Sequence, residues 1–127
     1  MTIESNLMNR VMADCFVLSG KDGWDSKEFV NQLFHTEWGR NILKGIAINE
    51  FTCKNFMYEG LKQNLEYKSG PVYTDTVLWY AGFLYKYLCE TCNIDDVYNK
   101  ASIQRIDKRF GFYHTQDWAY VKEDLGL

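Results

Sequence analysis

The chain has 127 residues, 46% of them apolar and 17% aromatic, with a formal net charge of −3. One domain is the natural count at this length, and the apolar content excludes a disordered chain. Fourteen basic residues stand against 17 acidic ones, without the clustered positive charge that phosphate backbones require, so nucleic acid is a poor candidate partner.

Helical spacing dominates from the start. Ile3, Leu7, Met8, Val11, Met12, Cys15 and Phe16 recur at three- and four-residue steps and predict a first helix that Gly20 ends. Asp25-Ser-Lys-Glu28 has the form of a capping box, opening a second helix with the stripe Phe29, Val30, Leu33 and Phe34. Thr36 is placed to cap a third, which carries Trp38, Ile42, Leu43 and Ile46, with Gly45 near its end. Phe51, Phe56, Met57, Leu61 and Leu65 describe a fourth, beginning near Asn49 or Thr52. Ser69-Gly70-Pro71 holds the single proline and is the clearest break. A sub-boundary would fall at this 68–73 loop, but each half alone would bury little, so 1–127 reads as one helical domain.

Between Val77 and Cys89 only Lys86 is charged. A helix apolar on every side belongs inside a bundle, and this one is expected over about 75–92 with Thr74 or Asp75 as its cap. Gly82 within it points to a neighbouring helix at close range, since glycine is otherwise disfavoured there. Asn93 ends this helix or caps the next. Ile94, Val97, Tyr98 and Ala101 fit one short helix, and Ile103, Ile106 and Phe110 another. Thr115 is expected to cap a last helix, with Asp117 in its first turn and Trp118, Val121 and Leu125 as its stripe. The predicted fold is an all-α bundle of seven or eight short helices around the central apolar one.

No run approaches the ~18 apolar residues of a spanning helix, and the first residues lack the basic lead of a signal peptide. The cytoplasm is therefore the expected compartment, with no membrane partner and with reduced thiols.

Cys89-Glu-Thr-Cys92 is a CxxC. It falls at the end of the central helix, where the dipole opposes a thiolate, and no second CxxC or spaced histidine pair accompanies it. It reads as two packed thiols, with no metal or cofactor expected. His35 and His114 are the only histidines, and neither has a recognisable nucleophile motif beside it. The alternative of a small enzyme would use His114 or a cysteine and needs a pocket where polar groups converge on it. Asp95-Asp96 and Glu123-Asp124 point different ways on a helix and read as solvated carboxylates.

Four tryptophans, nine tyrosines and eight phenylalanines are many for a domain of this size, and much of the set must be core. Trp24, Tyr58, Tyr67, Tyr73 and Tyr120 fall off the predicted stripes, and such rings dominate protein-binding hot spots. With His114, Gln116 and Asp117, in the turn before the last helix, they form the candidate partner-binding set.

The stretch from about Thr74 to Leu125 carries Trp79-Tyr80-Ala-Gly82-Phe-Leu84-Tyr85-Lys-Tyr87, then Asp96-Val97-Tyr98, Tyr113-His114-Thr115-Gln116 and Glu123-Asp124-Leu125. It resembles small antitoxin-like proteins of Gram-positive bacteria and their mobile elements, in which a Val-Tyr helix precedes His-Thr-Gln and a terminal Glu-Asp. Some of these are encoded beside toxins of the ADP-ribosyltransferase type. The resemblance implies a non-catalytic inhibitor that neutralises a toxin or defence effector by direct binding. A phage-encoded anti-CRISPR or other counter-defence protein is the alternative of the same kind, and gene neighbourhood separates the two.

Overall fold

In the computed structural model, residues 3–45 and 53–127 are described. They form eight helices: α1 Ile3–Lys21, α2 Ser26–His35, α3 Glu37–Lys44, α4 Lys54–Asn64, α5 Asp75–Thr91, α6 Ile94–Lys100, α7 Ile103–Tyr113 and α8 Trp118–Asp124. No strand occurs among the described residues; one isolated bridge joins Trp24 to Ser69. The all-α bundle expected from the sequence is what the chain forms.

The 17-residue α5 is the axle. It is buried on nearly every side, and α1 runs antiparallel along it, packing more extensively on it than any other pair of helices does. The close approach inferred from Gly82 is present. A Cβ there would lie 2.8 Å from Ala13 Cα, 2.9 Å from Met12 O and 2.9 Å from Phe16 Cδ1. Two turns away Gly20 packs on Leu78, where a Cβ would come within 2.5 Å of Leu78 Cδ1. Gly20 therefore does not stop α1, as its residue type suggested. The helix runs on to Lys21, and Gly23, at φ +82°, makes the reversal. Leu7, assigned to the α1 stripe, is exposed, while Asn9 and Ala13 are buried.

Capping follows the sequence closely. Thr36 Oγ1 accepts from Gly39 N, Thr74 Oγ1 from Val77 N, and Asn93 Oδ1 from both Asp95 N and Asp96 N. Gly45 closes α3 in the left-handed conformation at φ +77°. The capping box of α2 is half made. Asp25 Oδ1 accepts from Glu28 N at 3.0 Å, but the Asp25 amide donates to Lys68 O at 2.8 Å, and Glu28 pairs with Lys68 instead of reaching back. The 65–73 segment is thereby strapped across the start of α2. Pro71 O accepts from Ser26 N, Ser26 Oγ from Tyr73 N, and Gln32 exchanges two hydrogen bonds with the Glu66 backbone.

Two other expectations shift. On α4 the buried face is Met57, Tyr58 and Leu61, and Phe56, expected in the stripe, is 71% exposed. The predicted start of that helix, with Asn49, Phe51 and Thr52, and Ile46 of α3 lie outside the described residues. Thr115 does not cap α8: its hydroxyl donates to Phe112 O, and Asp117 is the cap, accepting from Tyr120 N at 2.8 Å. Lys86, the one charge between Val77 and Cys89, is buried, and burial pushes its ammonium below the usual range. It lies beside Gly45 at the C-terminal end of α3, where a helix dipole favours a cation.

Candidate functional site

The predicted partner-binding residues fall into two groups. In the first, Tyr58 and Tyr67 meet at Asp22, in the loop after α1, with Trp24 against Tyr67, and Tyr73 lies apart beside Ser26. Trp24 is 1% exposed and belongs to the core, which corrects its assignment to the surface. Its polar neighbours suggest a solvated ring, but the turn at Gly23 swings it inward, edge-on against Phe29 and Tyr67 at 5.3 and 5.1 Å. Tyr58 is likewise a core ring, and its hydroxyl donates to Asp22 Oδ2 at 2.7 Å. Tyr67 keeps half its surface, yet its hydroxyl is tied to Asp22 O and its ring covers Trp24. Tyr73 is half-buried against the core. This group fastens the strap to the bundle.

The second group, His114, Gln116, Asp117 and Tyr120, comes together in the α7–α8 turn. α8 is fixed from beneath by Trp118, which stacks on Phe83 at 4.5 Å and 15° and leans on Tyr80 at 4.9 Å. The stack extends to Trp79 on one side, through Phe83, and to Phe110 and His114 on the other, through Tyr80. His114 Nδ1 lies 2.7 Å from Phe110 O, so the ring closes the end of α7. Above this layer Tyr120 is 42% and Phe112 47% exposed, packed edge to face at 5.8 Å. Phe112 escapes sequence reasoning, although its neighbour Gly111, an interruption inside a helix, marks the spot.

The far end of α8 is clamped by Lys100, Arg105 and Arg109. Arg105 donates to the Lys100 and Asp124 carbonyls, Lys100 to Gly126 O, and Asp124 Oδ2 receives both Arg109 and the Tyr113 hydroxyl. These cations satisfy C-terminal carbonyls and a carboxylate within the molecule. The Tyr113 phenol is pushed up to about 12, by burial first and then by Asp124.

Burial pushes the Cys89 and Cys15 thiols up to about 12, so both are protonated at neutral pH. Cys92 is the C-cap of α5. Among the described residues no group of three or more His, Cys, Asp or Glu side chains is arranged to hold a metal ion. A shallow cleft of about 280 Å³ runs between α2 and the α6–α7 junction, lined by Lys27, Val30, Tyr85, Tyr98, Asn99, Ser102, Ile103 and Gln104. Neither His114 nor a cysteine faces it. No helix among the described residues is long and apolar enough to cross a membrane.

Fold and site together define an all-α bundle with a braced aromatic turn between its last two helices. No family model, curated protein or solved structure matches the chain.

Proposed function

We propose that this chain is an antitoxin-like, non-catalytic inhibitor that acts in the cytoplasm by binding a bacterial toxin or defence effector through the α7–α8 turn. The observation that carries the reading is Tyr120, 42% exposed beside Phe112 on a short helix that the stack of Trp118 on Phe83 and Tyr80 fastens to the bundle. An aromatic anchor on a preorganised surface loses little entropy on binding, and truncating one typically costs 2 kcal/mol or more, roughly 30-fold in affinity. The resemblance of residues 74–125 to antitoxin-like proteins supplies the class of partner.

Affinity capture from the native host, followed by reconstitution with the purified captured protein, tests the reading. The wild-type chain should block that protein's toxic or defence activity. The double variant His114→Ala/Tyr120→Ala should lose both the block and roughly 30-fold or more in affinity, with its helical circular dichroism unchanged. Full inhibition by the double variant would refute the proposed surface, and turnover of a substrate by the chain would refute the class.

A further inference from the structure

The cleft of about 280 Å³ between α2 and the α6–α7 junction has an apolar floor and a polar rim. Val30, Tyr85 and Ile103 line the floor, and all three belong to the core. The one polar side-chain atom among them, the Tyr85 hydroxyl, donates to Ala101 O at 2.6 Å, so the floor carries no unmet polar group. Lys27, Asn99 and Gln104 stand at the rim, and all three are exposed. Lys21, Arg40, Lys62, Lys68 and Arg109 each meet a carboxylate within the chain. Among the described residues Lys27 meets none. Each rim side chain ends in N–H donors, and no carboxylate lines the cleft.

This lining narrows the class of occupant. A volume of about 280 Å³ lies at the small end of ligand pockets, which suits a molecule of one ring and excludes a dinucleotide or a folded segment. The rim offers a positive charge and donors with no competing acid, which favours an anion. The floor adds an apolar requirement. A bare inorganic anion would lose water against Val30 and Ile103 and gain no partner there, whereas a ring buries its own apolar surface on them. A second cleft of about 220 Å³ opens on the other side of Lys27, but Asp25 lines it and repels an anion. Lys27 therefore has one side on which to receive a negative group.

We propose that the cleft between α2 and the α6–α7 junction binds a small single-ring carboxylic acid. Its ring lies on Val30, Tyr85 and Ile103, and its carboxylate is held at the rim by Lys27 with Asn99 and Gln104. A ligand of about ten non-hydrogen atoms in a half-open cleft binds weakly, with Kd of roughly 0.1–1 mM. The site does not rest on the inhibitor reading, and its variants leave His114 and Tyr120 in place.

Titration of the full chain, followed by the backbone amide signals in heteronuclear NMR spectra, tests it. The probes are hydrocinnamate, a phenyl ring on a short carboxylate chain, and hydrocinnamamide, its neutral amide. Hydrocinnamate should move the amide signals of Val30, Asn99 and Ile103 and saturate below about 10 mM. Hydrocinnamamide should bind about tenfold more weakly, because it brings no charge to Lys27. Lys27→Met keeps an unbranched stem without the charge and should weaken the carboxylate about tenfold, leaving the amide unchanged. Asn99→Asp places an acid on the rim and should weaken the carboxylate by at least as much. Both substitutions fall on exposed residues, and circular dichroism checks that each variant folds. Signals unmoved at about 10 mM, or moved only outside the cleft, overturn the proposal. So does equal binding of acid and amide, or carboxylate binding that Lys27→Met leaves intact.

Discussion

Replacing glycine by alanine in α5 and in α7 should change stability in opposite directions. In a helix interior the substitution is worth about 1 kcal/mol in favour of folding, through backbone entropy. At Gly111 nothing opposes that gain, because the new methyl would lie in open space. Gly111→Ala should therefore stabilise by about 0.5–1 kcal/mol. At Gly82 the methyl would lie 2.8 Å from Ala13 Cα and 2.9 Å from Met12 O, both backbone atoms of a buried helix, and 2.9 Å from Phe16 Cδ1. Backbone cannot rotate aside, so α1 must move off α5 over the most extensive contact in the bundle. Overpacking of that kind costs roughly 3 kcal/mol, at the upper end of its usual range. The helical gain offsets part of this, leaving a net loss of about 2 kcal/mol. At roughly 3–5 °C per kcal/mol for a domain of this size, Gly82→Ala should melt about 6–10 °C below wild type and Gly111→Ala about 2–5 °C above it. Thermal and urea melts followed at 222 nm, at a few micromolar protein, measure both. A Gly82→Ala variant as stable as wild type would mean that the α1–α5 crossing is looser than the structure has it, and the account of the axle would fail.

Other consequences are open to the same melts. Trp118→Ala should destabilise by about 2–4 kcal/mol, because it removes the ring stacked on Phe83 and Tyr80; a loss under ~0.5 kcal/mol would make α8 peripheral. Tyr58→Phe should cost about 1–2 kcal/mol, since the hydroxyl donates to the Asp22 carboxylate, and a neutral result would show that solvent replaces Asp22 freely. The Cys15 and Cys89 thiols ionise near 12 in the fold against 9.0 in an unstructured chain. The folded state thus retains protons that the unfolded state releases, so stability holds below about pH 9 and falls as pH rises toward 12. Urea midpoints at neutral pH and near pH 10.5 should differ accordingly, and a flat profile would contradict the burial of both thiols. At pH 8 a disulfide-exchange reagent should label the exposed Cys53 quickly and reach Cys15 and Cys89 only after urea is added.

The elements of this fold are written locally. Thr36, Thr74 and Asn93 sit where an unpaired amide must be met at a helix start, and each meets it. The central run from Val77 to Cys89 has no polar side to turn to water, so it has no place except the middle. Gly82 even announces its neighbour, since only a close backbone explains it. Exposure is different, because it depends on where a turn aims a side chain. Trp24 lies between Gly23 and Asp25 and looks solvated, yet the positive φ of Gly23 sends the ring into the core. Phe56 and Tyr58 exchange their expected roles through a rotation of α4 that the apolar spacing does not resolve, because both positions carry aromatic rings. Thr115 and Asp117 are equally good caps by residue type. The hydrogen bond of the Thr115 hydroxyl to Phe112 O decides between them by moving the start of α8 two residues on.

The same distinction separates the two halves of the candidate site. Residues that reach a polar partner inside the chain are legible only once the fold is known: nothing in the sequence tells that Arg105 and Arg109 hold the Asp124 carbonyl and carboxylate at the end of α8. Residues with no internal partner stand out against the reasons the fold supplies for the others. Each core ring has a face to cover, each capping side chain an amide, and eight glycines a left-handed turn or a crowded neighbour. Phe112, Tyr120 and Gly111 lie within a few residues or one ring contact of each other and are over-exposed or under-built for the bundle alone. Their proximity is the reason the proposed partner surface is placed at the end of α7 and the start of α8.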